Sequence, residues 1–230
     1  MPLIDVDGVS HSYGEGAARR QVLSDVTVRM DEARIGVIGA NGSGKSTFAR
    51  LLNGLVIPTE GSVHVDGLDT SRSAKEIRRR VGFCFTDPDA QIIMPTAGED
   101  IGFSLKHAGM SKAQIAEAVS TALVDFGLDG LSDHPSHLLS GGQKQLLALA
   151  SVLVTKPAML IMDEPTTLLD FRNARMISDL VAGLPQQVVM LTHHLDLLTE
   201  FDRVLVFDQG RLVCDDEPAA ACDFYLRAMS

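Results

Sequence analysis

The feature that most constrains this chain is a glycine-rich loop, Gly39-Ala40-Asn41-Gly42-Ser43-Gly44-Lys45-Ser46. It follows the apolar run 35–38 and precedes a segment of helical character, residues 46–55. Glycines let backbone N–H groups turn inward, and a helix N-terminus adds partial positive charge, so this arrangement is typical of triphosphate binding. We predict that Lys45 reaches the β- and γ-phosphates and that Ser46 binds Mg²⁺. The other predicted nucleotide contacts are Asn41, Gly42, Ser43, Gly44 and Thr47. A plain glycine-rich turn is the alternative.

Length and composition limit the classes of protein to which the chain can belong. Its 230 residues, 45% of them hydrophobic, are enough for one large domain or one domain with an inserted lobe. The net charge of −10 disfavours nucleic-acid binding, which needs a basic face. No stretch approaches the roughly 18 apolar residues of a membrane span, and the acidic N-terminus has no signal-peptide pattern. The widely spaced Cys84, Cys214 and Cys222 favour reduced, mostly buried thiols in a cytosolic protein.

The pattern of apolar and turn residues predicts strands towards both ends of the chain and helices between them. Val- and Ile-rich runs predict strands at residues 3–9, 22–30, 35–38, 61–67, 81–85 and 188–191. Residues 87–138 have helical spacing of apolar residues. Within this range, a capping box at residues 111–114 begins a helix with one apolar face, and Gly127 ends that helix. The last part of the chain predicts a hairpin over residues 204–213 and a helix over residues 218–229.

Two acidic residues, Asp163 and Glu164, follow the apolar run 158–162, which predicts a buried strand. The pair is therefore expected at the carboxyl end of the sheet. There Asp163 would hold Mg²⁺ through water, and Glu164 would polarise the water that attacks the γ-phosphate, which a carboxylate within hydrogen-bond reach can do. Taken alone, the pair is equally consistent with solvated acids at a strand end.

A second glycine-containing segment, Leu139-Ser140-Gly141-Gly142-Gln143, precedes a predicted helix over residues 143–154. We call it the signature segment. Ser140 is a natural N-cap, and the two glycines permit close approach of the backbone, so the segment makes another helix N-terminus directed at an anion. A well-capped helix without a ligand is the alternative. One domain does not need two such sites for one triphosphate.

Together, the phosphate loop, the signature segment and Asp163-Glu164 resemble the motifs of the ATP-binding-cassette (ABC) ATPases, and the resemblance covers residues 3–212. It implies an α/β fold in one domain, residues 1–230, with a P-loop NTPase (RecA-like) core, an antiparallel β subdomain and an inserted helical lobe at about residues 87–155. It also implies hydrolysis of ATP with Mg²⁺. In this family the phosphate loop of one subunit and the signature segment of another sandwich one ATP, so Ser140, Gly141, Gly142 and Gln143 are expected to contact ATP in a head-to-tail homodimer.

The resemblance assigns roles to several further residues. Tyr13 matches the aromatic residue that stacks on adenine, and a tyrosine that packs on the core is the alternative. His193, rather than its neighbour His194, matches the histidine that hydrogen-bonds the γ-phosphate and helps to hold the water. Residues 166–170 match the loop that crosses the dimer to the opposite site, although Asp170 is also a suitable N-cap for the next helix.

Two positions, Thr86 and Leu146, depart from the family pattern, and Leu146 stands where a basic residue is common. Thr86 stands where ABC proteins typically have a glutamine that contacts Mg²⁺ or water and senses the membrane partner. A threonine hydroxyl is several atoms shorter than a glutamine amide. We therefore hypothesise either a weaker metal contact at Thr86 or a transfer of the metal or coupling role to Gln91.

Three segments resemble the energy-coupling-factor (ECF) importers of vitamins and metal ions, namely residues 88–91, 95–103 and 191–196. This resemblance implies import of a micronutrient, with biotin favoured by residues 86–91, residues 192–196 and the compact length, and with cobalt or nickel as the runner-up. It further implies a transmembrane coupling subunit, whose Arg-bearing coupling helix would bind near Glu99 and Asp100, and a small substrate-binding membrane subunit. The chain would then lie on the cytoplasmic face of the membrane, held there only through its partners.

Three other functions stay open on the sequence alone. A conventional ABC importer ATPase would bind a permease that lacks the Arg-bearing coupling helix. A soluble ABC ATPase of the iron–sulfur assembly type would have no membrane partner. A nucleotide-binding module without catalysis is disfavoured by Glu164 and His193, although Thr86 is consistent with it.

Overall fold

The structure is a computed structural model that describes residues 1–167 and 169–228. Its strands are β1 (Ile4–Tyr13), β2 (Arg20–Met30), β3 (Arg34–Gly39), β4 (Glu60–Val65), β5 (Leu68–Asp69), β6 (Val81–Cys84), β7 (Met159–Asp163), β8 (Gln187–Leu191), β9 (Arg203–Asp208) and β10 (Arg211–Asp216). Its α-helices are α1 (Lys45–Leu52), α2 (Ala74–Arg80), α3 (Ala97–Ser104), α4 (Lys112–Asp125), α5 (Gly141–Leu153), α6 (Phe171–Gly183) and α7 (Pro218–Ala228). The chain forms two compact units: unit 1 comprises residues 1–82, 158–164 and 184 onward, and unit 2 comprises residues 83–157 and 165–183.

Unit 1 contains a mostly parallel sheet with the strand order β10-β9-β3-β8-β7-β6, in which β6 is the edge strand where the chain passes into unit 2. β3 pairs in parallel with β8 and β9, β7 pairs in parallel with β8, and β10 is antiparallel to β9. β7 and β8 are buried along their whole length, as parallel strands covered on both faces are. Leu191 is opposite both Val37 and Asp163, so the carboxyl ends of β3, β8 and β7 lie side by side.

The second sheet of unit 1 is antiparallel, with the order β2-β1-β4-β5. β1 and β2 pair from Ile4 opposite Met30 to Tyr13 opposite Arg20, with register shifts around Val9 that indicate β-bulges. The predicted combination of a parallel α/β core with an antiparallel β subdomain is therefore confirmed.

The cysteines differ in part from the prediction of mostly buried thiols. Cys84 is buried, whereas Cys214 and Cys222 are only partly buried, and none of these three described cysteines forms a disulfide. Cys214 on β10 and Cys222 on α7 pack against one apolar cluster of unit 1 that includes Val206 and Ala221. Their positions fit a packing role, because each covers the edge of that cluster.

Unit 2 is built from α3, α4, α5 and α6. Three of these helices begin with a capping box, formed by Thr96 with Glu99, Ser111 with Gln114, and Ser140 with Gln143. The capping box of α4 and the N-cap at Ser140 were predicted, and both are confirmed. The lobe predicted at about residues 87–155 falls within this unit, which also contains residues 165–183.

Two helix boundaries differ from the predicted ones. The helix after the phosphate loop was predicted to reach residue 55, but α1 ends at Leu52, because Asn53 is its C-cap and Gly54 has a φ of 67° that a helix cannot continue. The last helix was predicted to end at Met229, which lies outside the described residues. Within the described chain, none of the helices combines the length and apolar character needed to cross a membrane.

Candidate active site

The phosphate loop is held tightly between neighbouring backbone segments of unit 1. A Cβ atom at Gly39, where φ is 148°, would lie 2.1 Å from the carbonyl oxygen of Phe207. A Cβ atom at Gly44, where φ is 102°, would lie 2.9 Å from the carbonyl oxygen of Val22. Only glycine fits both positions, so the loop keeps its shape through backbone contacts rather than through side chains.

Lys45 is the buried cation of the loop. Its Nζ donates to the carbonyl oxygens of Gly39, at 2.7 Å, and of Ala40, at 3.1 Å. Burial lowers the pKa of Lys45, while the nearby carboxylates of Glu164 and Asp163 partly oppose that shift. The ammonium group therefore lies among the backbone groups of the loop, with two carboxylates close enough to favour its charged form.

Ser46 and Asp163 lie together at the carboxyl end of the sheet. Ser46 Oγ donates to Asp163 Oδ1 at 2.9 Å, and Arg50 Nη2 lies 3.9 Å from the other carboxylate oxygen. Burial raises the pKa of Asp163, although the bond from Ser46 and the charge of Arg50 work against that rise. A hydroxyl and a carboxylate at this separation are oxygen donors of the kind that Mg²⁺ prefers, so these two residues fit the predicted metal site.

Glu164 and His193 form a second polar pair. His193 Nδ1 lies 2.7 Å from Glu164 Oε2, and the rings of His193 and His194 lie 4.1 Å apart. The backbone of Glu164 has a φ of 54°, and its N–H donates to the carbonyl oxygen of Leu191. This left-handed turn directs the Glu164 side chain away from the path of β7 and towards His193, which follows β8 and Thr192.

Tyr13 lies at the end of β1, close to the phosphate-loop helix. Its hydroxyl is 3.4 Å from Thr47 Oγ1, and its ring meets the His11 ring edge-on, with centroids 4.6 Å apart. The Tyr13 side chain is 42% exposed, so it is not simply a core residue. An exposed ring face beside α1 is available for stacking on a base.

A cleft of about 570 Å³ opens over the phosphate loop. Seven residues of the cleft, 41–47, were predicted from sequence as phosphate-loop or adjacent contacts, and Glu164 was predicted as the base. The residues that line the cleft are Arg20, Gln21, Val22, Asn41, Gly42, Ser43, Gly44, Lys45, Ser46, Thr47, Glu164, Gln209 and Gly210. Sequence reasoning missed the wall made by residues 20–22 and 209–210, because only strand pairing brings it to the loop.

In unit 2 the signature segment begins α5. Ser140 Oγ accepts from the Gln143 N–H at 3.3 Å, and Gln143 Oε1 accepts from the Ser140 N–H at 2.9 Å. A Cβ atom at Gly142 would lie 2.6 Å from Asn173 Nδ2, so any larger residue there would force the Asn173 side chain on α6 to move. Asp170 Oδ1 accepts from the Asn173 N–H at 2.8 Å, which is the predicted N-cap contact. Leu168, in the predicted dimer-crossing loop, lies outside the described residues.

The segment after β6 is bonded to α5 within unit 2. Gln91 Oε1 accepts from the Phe85 N–H, and Gln91 Nε2 donates to the carbonyl oxygen of Ala148, both at 3.1 Å. Both ends of the amide are thus in use, so the predicted contact between Gln91 and Mg²⁺ would require one of these bonds to break. In the described part of the chain the Thr86 hydroxyl makes no hydrogen bond that would replace one from glutamine.

Asp100 also differs from its expected place. The sequence placed Glu99 and Asp100 together at a groove for a partner, with a solvated helix start as the alternative. Asp100 is buried, with Oδ1 accepting from the Ile93 and Met94 N–H groups and Oδ2 accepting from Ser151 Oγ at 2.8 Å. Asp100 is therefore a structural residue, and only Glu99 stays at the surface.

A comparison of the sequence with protein-family models identifies the family of the chain. The family model described as ABC transporter matches residues 23–167, which is more than half of the chain. This chain belongs to the ABC transporter family. Among relatives of this ABC protein, the biotin transport ATP-binding protein BioM of Rhizobium etli is 49% identical over 209 residues, covering 91% of this chain and 92% of BioM. The energy-coupling factor transporter ATP-binding protein EcfA1 of Caldanaerobacter subterraneus is 37% identical over 225 residues, covering 94% of this chain and 81% of EcfA1.

A solved structure supports the same conclusion for the fold of this ABC protein. The chain is similar to the ATP-binding cassette MJ0796, solved as a dimer in a post-hydrolysis state with bound ADP and Pi, with a TM-score of 0.82 and 25% identity. The match covers 94% of this chain and 98% of MJ0796. The predicted ABC fold, ATP binding and ATPase activity are thus confirmed, and the chain is an ECF-type ABC ATPase.

Proposed function

We propose that this ECF-type ABC ATPase energises the import of biotin. The observation that carries the proposal is the 49% identity to BioM over 91% of the chain. The name of the EcfA1 relative specifies no substrate, so the choice of biotin rests on the similarity to BioM. Cobalt or nickel is the alternative cargo, because the ATPase does not itself need to touch the transported molecule.

The working unit in this proposal is a head-to-tail homodimer. The chain carries both a phosphate loop in unit 1 and a capped signature segment in unit 2, so two copies would provide two complete sites. The dimeric form of the similar cassette MJ0796 supports this arrangement. Ser140, Gly141, Gly142 and Gln143 of one copy would then contact the ATP held by the phosphate loop of the other.

Each site would bind ATP and its metal through residues that already lie together. Tyr13 would stack on the adenine, and Lys45 would exchange its bonds to Gly39 and Ala40 for bonds to the β- and γ-phosphates. Ser46 and Asp163 would hold Mg²⁺, the first directly and the second through water. When bound, Mg²⁺ would supply charge neutralisation on the phosphate oxygens.

Glu164 would act as the base for the attacking water, and His193 would fix its orientation. The 2.7 Å contact between His193 Nδ1 and Glu164 Oε2 restricts the carboxylate to one position. A histidine with protons on both ring nitrogens would donate from Nδ1 to Glu164 and from Nε2 to the γ-phosphate. Water would attack the γ-phosphorus in line with the leaving β-phosphate oxygen, giving ADP and phosphate.

The partners in this proposal are a transmembrane coupling subunit and a small membrane subunit that binds the substrate. Glu99, exposed at the start of α3, is the candidate contact for an arginine of the coupling helix. The chain would lie on the cytoplasmic face of the membrane through these subunits alone.

Purification of the tagged chain from its own cells tests the proposal. Membranes are solubilised in mild detergent, co-purifying proteins are identified, and the complex is incubated with labelled biotin and, separately, with labelled cobalt. We expect a multi-span coupling subunit, a small hydrophobic subunit and saturable binding of biotin. Binding of cobalt alone would replace biotin as the substrate, a conventional permease would make the chain a conventional importer ATPase, and soluble partners alone would refute the transport function.

A further inference from the structure

The wall of the nucleotide cleft contains a cation that no motif includes. Arg20, the first residue of β2, lines the cleft together with the phosphate loop. The chain has a net charge of −10, and Glu164 lines the same cleft, so a second basic side chain there is notable beside Lys45. Among the described residues, Arg20 forms no ion pair, whereas Arg50, Arg72, Arg80, Arg203 and Arg227 each do.

Strand register places Arg20 directly beside the candidate adenine-stacking residue. Tyr13 on β1 is opposite Arg20 on β2, and residues paired in this way project from the same face with Cβ atoms about 5 Å apart. The cation–π contact found in the described part of the chain is between Lys106 and the Phe103 ring. Arg20 therefore does not stack on the Tyr13 ring, and its guanidinium makes no cation–π contact with Tyr13.

The other groups of the cleft leave one part of the nucleotide without a charged partner. In the proposed site Tyr13 takes the base, Lys45 takes the β- and γ-phosphates, and Ser46 takes Mg²⁺. The α-phosphate lies between these two ends. Arg20 lies next to the residue at the base end, and its long side chain can extend from there towards the phosphate loop. A guanidinium also matches phosphate oxygens in a bidentate geometry.

We propose that Arg20 is a nucleotide-binding residue that contacts the α-phosphate of ATP. This inference rests on the proposed nucleotide site and adds a charged side-chain contact to the backbone N–H groups with which the phosphate loop cradles the α- and β-phosphates. Because ADP has the same α-phosphate, Arg20 contributes equally to the binding of ATP and ADP. It has little effect on the chemical step, which takes place at the γ-phosphate.

The test compares Arg20→Ala with Arg19→Ala, a matched control that removes the same charge from the adjacent residue outside the cleft lining. Dissociation constants for ATP and ADP are measured by calorimetry on the full chain, together with kcat and KM for ATP hydrolysis. For Arg20→Ala we expect affinity for both nucleotides to fall about 5- to 20-fold, the lower range for a charged hydrogen bond at a partly exposed site. Arg20→Lys should recover part of the loss, and kcat should change less than twofold.

Three results would overturn the inference. Equal losses for Arg20→Ala and Arg19→Ala would show a general charge effect, a loss confined to ATP would place the contact on the γ-phosphate, and unchanged affinity would show no contact. A Lys45→Ala variant separates this inference from the proposed site. If Lys45→Ala abolishes ATP binding while Arg20→Ala leaves it intact, the site stands and only the role of Arg20 is wrong.

Discussion

Gly210 should be one of the positions in unit 1 most sensitive to a single added methyl group. It lies in the turn between β9 and β10, is buried, and has a φ of 79°. A Cβ atom there would lie 2.4 Å from the carbonyl oxygen of Val22 and 3.3 Å from Leu23 Cα. The Gly210 N–H also donates to the carbonyl oxygen of Ser43 in the phosphate loop at 3.0 Å. The turn, the start of β2 and the phosphate loop therefore have to move together in Gly210→Ala.

The size of the effect follows from two separate terms. Left-handed backbone costs alanine about 1 kcal/mol relative to glycine. Moving the backbone that a Cβ atom would overlap adds about 1–3 kcal/mol, as overpacking does elsewhere. The total of about 2–4 kcal/mol is a large part of the roughly 5–15 kcal/mol that stabilises a typical protein. Gly67→Ala is the matched control, because Gly67 has a φ of 75° but open space around its Cβ position, and so should lose only about 1 kcal/mol.

Urea unfolding of the two variants, with ATP titrations on the folded proteins, measures both consequences. Gly210→Ala should lose more free energy of unfolding than Gly67→Ala by about 1–3 kcal/mol, and it alone should lose affinity for ATP, because its turn bonds to Ser43. Equal losses of stability would refute the overlap argument. A stable Gly210→Ala protein with normal ATP affinity would refute the link between the turn and the phosphate loop.

Three further changes have defined outcomes. Glu164→Gln should lower the rate of phosphate release by at least about 100-fold and leave an ATP-bound dimer visible by light scattering, since a general base is worth that factor or more; hydrolysis at the wild-type rate would exclude Glu164 as the base. Gln91→Ala should lose about 1–3 kcal/mol in urea unfolding, because it leaves the Phe85 N–H and the Ala148 carbonyl without partners; an unchanged midpoint and slope would contradict this. Asp163→Asn should stabilise the nucleotide-free protein at neutral pH, and the gain should shrink as pH falls towards the ordinary aspartate pKa of about 4. The substitution stabilises the protein because burial raises the pKa of Asp163 in the folded state, so that ionisation of Asp163 destabilises the fold as pH rises. A gain that is constant with pH, measured by urea unfolding across that range, would show that charge burial is not the cause.

The parts of the site that sequence predicted well are those in which the chemistry and the backbone are local. The phosphate loop supplies its own strand, turn and helix within a few residues, and Ser140 supplies the cap of α5 from within the signature segment. Asp163 and Glu164 were predictable because β7 is a wholly apolar run that ends at them. In each case the residue pattern specifies the structure without knowledge of the rest of the chain.

The parts that sequence missed depend on pairing between distant segments. Arg20 and Gly210 are separated by most of the chain, and neither belongs to a motif, yet sheet pairing and one turn bring both to the phosphate loop. The family resemblance placed Asp100 at a groove for a partner, and the alternative was a solvated helix start, where acids are common. Its burial depends on Ser151 and on the chain before α3, which no local pattern reveals.

The contacts of α5 give a physical reason why the chain can lack the usual glutamine at Thr86. Three polar links join the segment after β6 to α5 within unit 2: Asp89 to Lys144 at 2.7 Å, Gln91 to the carbonyl oxygen of Ala148 at 3.1 Å, and Asp100 to Ser151 at 2.8 Å. Their positions on α5 are spaced by four and three residues, so they lie on one helix face. The exposed Asp89 link contributes little by itself, whereas the Asp100 link is buried and the Gln91 bonds are partly buried. Since α5 begins at the signature segment, we propose that a displacement of the segment after β6 is transmitted to the start of α5 through Gln91 and Asp100 rather than through Thr86.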